Sequence, residues 1–226
     1  MEEDSPSRGK AFPASEDVNF KVSAMEDFYT FAFDEVEKSK RFYKNLTDDD
    51  IKYLEAAVRK DFETCNALID MYFRLKMPNT AVKHQVFRRD KKIDIWKYQV
   101  NRKKKNDAGW LGEGIYFYGD DEEAFKAYEY GQWMSPFFIN VENPFQMDRD
   151  IHDAIIHEND VKVSERMTKY LEKHKMDGVL WTGDGREEWC VLAPNQLKRA
   201  TVTRDDYGRV IPISLRFDLS NDDNRF

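Results

Sequence analysis

The stretch GEGIYFYGDDEEAFKAY, residues 112 to 128, indicates most about how this chain folds. Two glycines flank a glutamate, a short aromatic run follows, and an acidic helical pattern comes next. A dinucleotide-binding loop has the opposite order, because its strand precedes G-x-G-x-x-G and its helix follows. Here Phe117 occupies the sixth position and the strand follows the glycines. The stretch therefore argues against a Rossmann phosphate loop and predicts a strand that leads into a helix.

The composition is that of a globular protein. The chain has 226 residues, of which 41% are hydrophobic and 14% aromatic, enough to form a core. No apolar run approaches the roughly 18 to 20 residues that a membrane-spanning helix needs, and the acidic start MEEDSPSRGK is unlike a signal peptide. Cys65 and Cys190 are far apart, which argues against a disulfide framework. We expect a soluble, cytoplasmic protein with no membrane partner.

The net charge of −7 disfavours general binding to nucleic acid. One local exception is a basic run inside the acidic chain, formed by Arg102, Lys103, Lys104 and Lys105. The run is either a solvated loop or a docking loop for a phosphate-rich or other target, and the sequence leaves both open.

The chain divides into four segments by composition. Residues 1–16 are polar and predicted to be disordered, residues 17–78 form a helical segment, residues 79–217 form a second domain, and residues 218–226 form a polar tail. In the helical segment one continuous apolar stripe predicts a single helix over residues 46–76. Thr47 is its expected N-cap, and Cys65 on the stripe is expected to be buried.

After residue 79 the pattern changes to short strands and turns. Strands are predicted at about 84–90, 114–118, 134–145, 177–185, 187–194 and 198–205, with helices at about 120–130 and 160–174. Strands and helices do not alternate regularly, so a doubly wound parallel sheet is not expected. The predicted fold class is α+β, with a split or mixed sheet preceded by the helical segment.

Glu187 and Glu188 open an apolar strand and carry the clearest candidate chemistry. Neighbours in a strand point to opposite faces, so one carboxylate faces the interior or a cleft and the other faces solvent. The pair protects a strand edge against aggregation, or one carboxylate stabilises an oxocarbenium-like cation. His152 and His157, by contrast, are expected to be surface or loop histidines, and we expect no metal site.

The aromatic run beside the glycines has two interpretations. Tyr116, Phe117 and Tyr118 alternate between the faces of the strand, so at least one ring lies away from the main core. Such a ring either packs against its neighbours or stacks on a flat cationic ligand such as nicotinamide.

Taken together and in order, these pieces resemble a known family. GEGIYF resembles the Gly-x-Gly-Ile-Tyr-Phe strand of poly(ADP-ribose) polymerases and other diphtheria-toxin-like ADP-ribosyltransferases, and EEWCVLAPNQLKRATV resembles the late glutamate strand of that family. VFRRD stands where the first strand of the family stands. FFINVENPF, DGVLW and GRVIPISLRF are similar to ADP-ribosyltransferase-type domains of phage and mobile-element polyvalent proteins. The resemblance covers about residues 80–217 and implies split, mixed or antiparallel sheets of the ADP-ribosyltransferase type.

The resemblance also implies a co-substrate and a site. NAD would bind in a cleft between two small sheets, without a metal. The residues implied as catalytic are Arg88, Tyr116 and Glu188, and those implied to bind NAD are Arg88, Arg89, Gly114, Tyr116, Tyr128 and Glu188. Glu188 would hydrogen-bond the nicotinamide ribose and stabilise the transition state, while Tyr116 and Tyr128 would enclose the nicotinamide ring.

Three positions depart from the pattern of the family and leave the function open. Arg88 and Arg89 replace the usual histidine and glycine, and Arg186 stands two residues before Glu188, where members that modify arginine or asparagine carry glutamate or glutamine. The leading hypothesis is an ADP-ribosyltransferase that modifies a macromolecular acceptor, expected to be a protein, in the cytoplasm of a bacterium or a phage-infected host. The alternatives are an NAD glycohydrolase and an inactive fold that binds partners through residues 18–76.

Overall fold

The structure is a computed structural model that describes residues 35–93, 95–100, 111, 113–158 and 161–226, without the side chains of residues 154–158 and 161–165. The predicted disorder of residues 1–16, the role of Gly112 and the basic run at 102–105 lie outside the described residues. So do residues 17–34 of the predicted helical segment.

Within these ranges there are six α-helices, three short 3₁₀ helices and seven strands. The helices are α1 (residues 35–42), α2 (Asp48–Arg59), α3 (Phe62–Lys76), α4 (Asp121–Lys126), α5 (Arg149–Glu158) and α6 (Val161–Lys173). The strands are β1 (Val86–Asp90), β2 (Ile115–Tyr118), β3 (Trp133–Ile139), β4 (Pro144–Met147), β5 (Gly178–Gly183), β6 (Arg186–Val191) and β7 (Leu197–Arg199). None of the described helices is long and apolar enough to cross a bilayer.

The seven strands form one mixed sheet in the order β4-β5-β6-β2-β1-β3-β7. Strands β4 and β5 are parallel, and every other neighbouring pair is antiparallel. The predicted α+β class is confirmed. The strands form one sheet where a split into two was expected. The two parts of this sheet join between β1 and β2, which share the single register pair Phe87 and Tyr118.

The prediction of one helix over residues 46–76 is wrong. Lys60 adopts a left-handed conformation, with φ of 59°, and ends α2. Asp61 then caps α3 by accepting a hydrogen bond from the backbone N–H of Thr64 at 3.1 Å. The predicted N-cap at Thr47 is confirmed, and its capping box closes the start of α2.

The helices α2 and α3 share a hydrophobic core with the sheet. The rings of Phe73 on α3 and Phe138 on β3 stack with centroids 4.0 Å apart. The buried cluster around them combines both helices, which contribute residues such as Cys65 and Leu68, with late residues of the chain. The late residues include Ala200, Val210, Ile213 and Phe217. Residues 48–76 therefore pack against β3 and the late part of the chain and do not form a core of their own.

The last nine residues are polar in sequence but packed in the fold. Asn224 is 1% exposed, and its backbone N–H donates to the carbonyl of Trp96 at 2.8 Å. The N–H of Arg199 on β7 in turn donates to the carbonyl of Asn224. The segment 218–226 thus covers the outer edge of β7.

Candidate functional site

The three strands that carry the family-like motifs lie next to each other. Strand β2 lies between β1 and β6, and the register aligns Phe87 with Tyr118, Tyr118 with Glu188, and Glu188 with Trp181 of β5. Directly paired residues share a face of the sheet. The topology therefore builds a row of three aromatic side chains and one carboxylate across four strands.

Glu188 is the buried member of the glutamate pair. Its side chain belongs to the interior, with 5% of the residue exposed. Glu187 points to the opposite face, where it accepts a hydrogen bond from the indole N–H of Trp189 and lies 3.0 Å from Nε2 of His84. The predicted division of the two carboxylates between the two faces is confirmed.

Tyr118 lies beside Glu188 and is only partly buried. Burial raises the pKa of Tyr118 above its usual value, and the carboxylate of Glu188 raises this pKa further, followed by Tyr130 and Glu129. The phenol therefore stays protonated at neutral pH. Tyr130 is 54% exposed, so this end of the row opens towards solvent.

Trp181 on β5 pairs with Glu188 on the side opposite to Tyr118. Its ring stacks on the imidazole of His152 with centroids 4.3 Å apart and an interplanar angle of 18°. A side chain at Gly183 would collide with the indole, so glycine gives the ring its space. The expectation of a surface or loop position is wrong for His152, which lies on α5 and is 8% exposed, because stacking on Trp181 buries it.

Tyr116 shares the face of Glu188 but is held in a packed position. Its hydroxyl accepts a hydrogen bond from the backbone N–H of Leu111 at 3.0 Å, and its ring borders a buried cluster that includes Cys190. Gly114, just before β2, approaches β6 so closely that a side chain would collide with Cys190 Sγ and the carbonyl of Val191. The role of Gly114 in the structure is this close approach.

Arg88 lies on β1 one position from the aromatic row, and alternation places it on the other face from Glu188. Its guanidinium donates to a carboxylate oxygen of Asp90 at 3.0 Å and to the carbonyl of Tyr116 at 2.9 Å. It also lies over the ring of Tyr98. These contacts fill the gap where β1 and β2 diverge.

Arg89 shares the face of Glu188, and its guanidinium binds carbonyls of the next helix. It donates to the carbonyls of Ala124 at 2.7 Å, Phe125 at 3.0 Å and Gly131 at 3.0 Å. The contacts fasten α4 and the turn after it to β1. Tyr128 in that turn is 75% exposed.

The guanidinium of Arg186 lies on the same face as Glu188, and the family resemblance does not assign this residue to NAD binding. It is two residues from Glu188 on β6, pairs with Glu123 at 3.1 Å, and is close enough to lower the pKa of Tyr118 against the effects that raise it. Tyr118, Trp181 and Tyr130 were also not assigned. The two strand residues follow from parity once the register is known, since every second residue of β2 and β5 faces the same way.

Among the described residues, no group of three or more His, Cys, Asp and Glu side chains is placed to hold a metal ion. Comparison with protein families, curated proteins and solved structures finds no match to this chain.

Proposed function

We propose that this protein is an NAD-dependent ADP-ribosyltransferase. The observation that carries the proposal is a buried carboxylate, Glu188, in a row of aromatic side chains on strands that also carry the family-like motifs. The arrangement suits a reaction in which positive charge develops beside a flat ring.

In this reaction the bond between ribose C1′ and the nicotinamide nitrogen breaks, and its electron pair leaves with nicotinamide. The ribose passes through an oxocarbenium-like state, an acceptor nucleophile forms the new bond to C1′, and its proton is released. Glu188 stabilises the cation, because opposite charges attract more strongly in a buried site than in water.

The partly exposed ring of Tyr118, beside Glu188, offers a stacking surface for the nicotinamide. Arg186, which pairs with Glu123 on this face, supplies a cation for the phosphates of NAD. Tyr116 and Gly114 support the site by packing. The implied roles of Arg88, Arg89 and Tyr128 in binding NAD stay predictions.

Nicotinamide release from NAD by the purified protein tests the proposal, with Glu188→Gln beside the matched control Glu187→Gln. We expect Glu188→Gln to reduce the rate by about 10² to 10³. Glu187→Gln should stay near the wild-type rate, since its side chain lies on the other face and a glutamine oxygen still accepts a hydrogen bond from Trp189. Wild-type turnover by a folded Glu188→Gln variant would overturn the assignment.

The same assay with labelled NAD and host-cell lysate separates transfer from hydrolysis. Label on protein supports the transferase, whereas free ADP-ribose as the sole product supports an NAD glycohydrolase. The hydrolase has one argument in its favour, because Asp184 and Gly185 form only a two-residue turn before β6. That turn offers little surface for recognising an acceptor.

A third outcome, no nicotinamide release by the folded wild type, favours an inactive fold that binds partners. The engagement of Arg88 and Arg89 in structural contacts supports this alternative. Calorimetric titration with NAD then tells whether the aromatic row still binds the dinucleotide.

A further inference from the structure

Five large apolar side chains are exposed along the short stretch that runs from α4 into β3. Trp133 lies on the opposite face of β3 from Met134, which shares the face of Arg89. The other four are Phe125, Tyr128, Tyr130 and Met134, with exposed fractions of 69%, 75%, 54% and 39%, and we call them the aromatic platform. Isolated exposed apolar residues are ordinary, but a group of them on one surface segment marks an interaction site. Arg89, which holds this stretch, follows Arg88 on β1 and shares the face of Glu188, so the platform lies towards the face of the aromatic row.

The backbone that carries the aromatic platform is held in place by β1. Arg89 binds three carbonyls between Ala124 and Gly131, and its guanidinium lies over the Phe125 ring, 5.5 Å from the centroid. Gly131 approaches the backbone of Asp90 so closely that a side chain there would collide with it. A surface held in this way loses little conformational entropy when a partner binds.

The charges around the platform select the kind of partner. Asp120, Asp121, Glu122 and Glu129 are exposed. The nearby cations are already engaged, since Lys126 pairs with Glu122 and Glu123, Arg186 pairs with Glu123, and Arg89 binds backbone carbonyls. A cluster of exposed carboxylates repels phosphate backbones and attracts lysine and arginine side chains. The exposed rings add cation–π contacts with the same two side chains.

We propose that the aromatic platform docks a Lys/Arg-rich segment of a protein, and that this protein is the acceptor. The second half of this statement rests on the proposed function, whereas the docking itself needs neither NAD nor Glu188.

Fluorescence anisotropy with a labelled Lys/Arg/Ser peptide tests the docking, against a matched Glu/Asp/Ser peptide and a single-stranded RNA. We expect the basic peptide to bind best and to weaken with added salt. Phe125→Ser should weaken its binding by about threefold to tenfold through loss of ring contacts, and Asp121→Asn with Glu122→Gln by a similar factor. Phe62→Ser, which removes an exposed ring on α3, is the matched control and should bind as wild type.

Equal affinities for the wild type and both platform variants would overturn the proposal, as would preference for the RNA or the acidic peptide. Glu188→Gln separates this test from that of the proposed function. Peptide binding that survives in Glu188→Gln and depends on Phe125 supports docking, even if the wild type releases no nicotinamide. Labelling of lysate protein that persists in Phe125→Ser at the wild-type rate would show that the platform does not receive the acceptor.

Discussion

At the scale of single residues, register decides the part that each tyrosine of β2 plays. Tyr116 and Tyr118 point to the same face, yet Tyr118 pairs with Glu188 while Tyr116 pairs with the buried Cys190. The motif resemblance favoured Tyr116 as the ring that stacks on nicotinamide. The structure places Tyr118 beside the carboxylate and ties the Tyr116 hydroxyl to the backbone of Leu111.

We therefore expect Tyr118→Ala to raise KM for NAD by about tenfold through loss of ring stacking. Tyr118→Phe keeps the ring and should stay within about twofold to threefold of the wild-type KM. Tyr116→Phe should leave kcat and KM nearly unchanged and lower the free energy of unfolding by about 1 kcal/mol, because one hydrogen bond is lost. Steady-state kinetics and urea unfolding measure both effects. A larger kinetic loss in Tyr116→Phe than in Tyr118→Ala would reverse these roles.

Sequence could predict that Glu187 and Glu188 divide between two faces, but not which of them is buried. Alternation is symmetric, and the choice depends on which face the neighbouring strands and helices cover. Here Trp181 and Tyr118 flank Glu188, whereas Glu187 pairs with the half-exposed His84. Tyr118 and His84 come from distant parts of the chain, and Trp181 meets Glu188 only through the register of the β5–β6 hairpin, so the residues beside the glutamates carry no signal of the choice.

At the scale of elements, Arg89 attaches α4 to the sheet. The helix has only six residues, too few to be stable on its own. Its last carbonyls find a donor in the guanidinium of Arg89 instead of a further helical turn. The pattern of the family suggested a contact with NAD at this position, and the structure shows this link between elements.

We expect Arg89→Met to loosen residues 121–131, because three carbonyls lose their donor at once. Hydrogen exchange followed by mass spectrometry should show these amides exchanging about 10- to 100-fold faster, while the amides of β5 and β6 keep their rates. Arg74→Met on α3, which removes an exposed pair with Asp70, is the control and should leave residues 121–131 unchanged. Unaltered exchange in Arg89→Met would show that α4 holds its place without this side chain.

Element boundaries could be predicted where capping chemistry is local. Thr47 opens α2 as expected, and Asp61 offers an equally local cap for α3. The break between the two helices escaped prediction because the apolar stripe continues across it. The stripe stays in phase since both helices pack on the same cluster.

At the scale of the whole molecule, the early helices and the late chain form one core. Asp50 on α2 is fully buried and accepts hydrogen bonds from the N–H and hydroxyl of Ser214, 164 positions away, both at 2.8 Å. Arg216 reaches the hydroxyl of Tyr53 on the same helix at 2.8 Å. Contacts over such sequence separations leave no pattern in composition or periodicity. The predicted boundary between the helical segment and the second domain, at residue 78, therefore gave no indication that the two share a core.

We expect helices and sheet to unfold in one transition. All five tryptophans lie after residue 90, so their fluorescence reports on the sheet domain, while far-UV circular dichroism is weighted to the helices. Asp50→Ala, a change on α2, should lower the free energy of unfolding seen by both signals by about 2 to 3 kcal/mol. Asp70→Ala on exposed α3 surface should change it by less than about 0.5 kcal/mol. Separate midpoints for the two signals would show that the helices unfold independently.

The cover that residues 218–226 place over β7 has a consequence for biosynthesis. A nascent chain whose residues 218–226 are still inside the ribosomal exit tunnel lacks the Asn224 backbone that pairs with Arg199 and Trp96. Buried Asp50 likewise lacks its hydrogen-bond donor until Ser214 has emerged. The sheet edge and the helix-facing core therefore close only once residues 214–226 have left the ribosome.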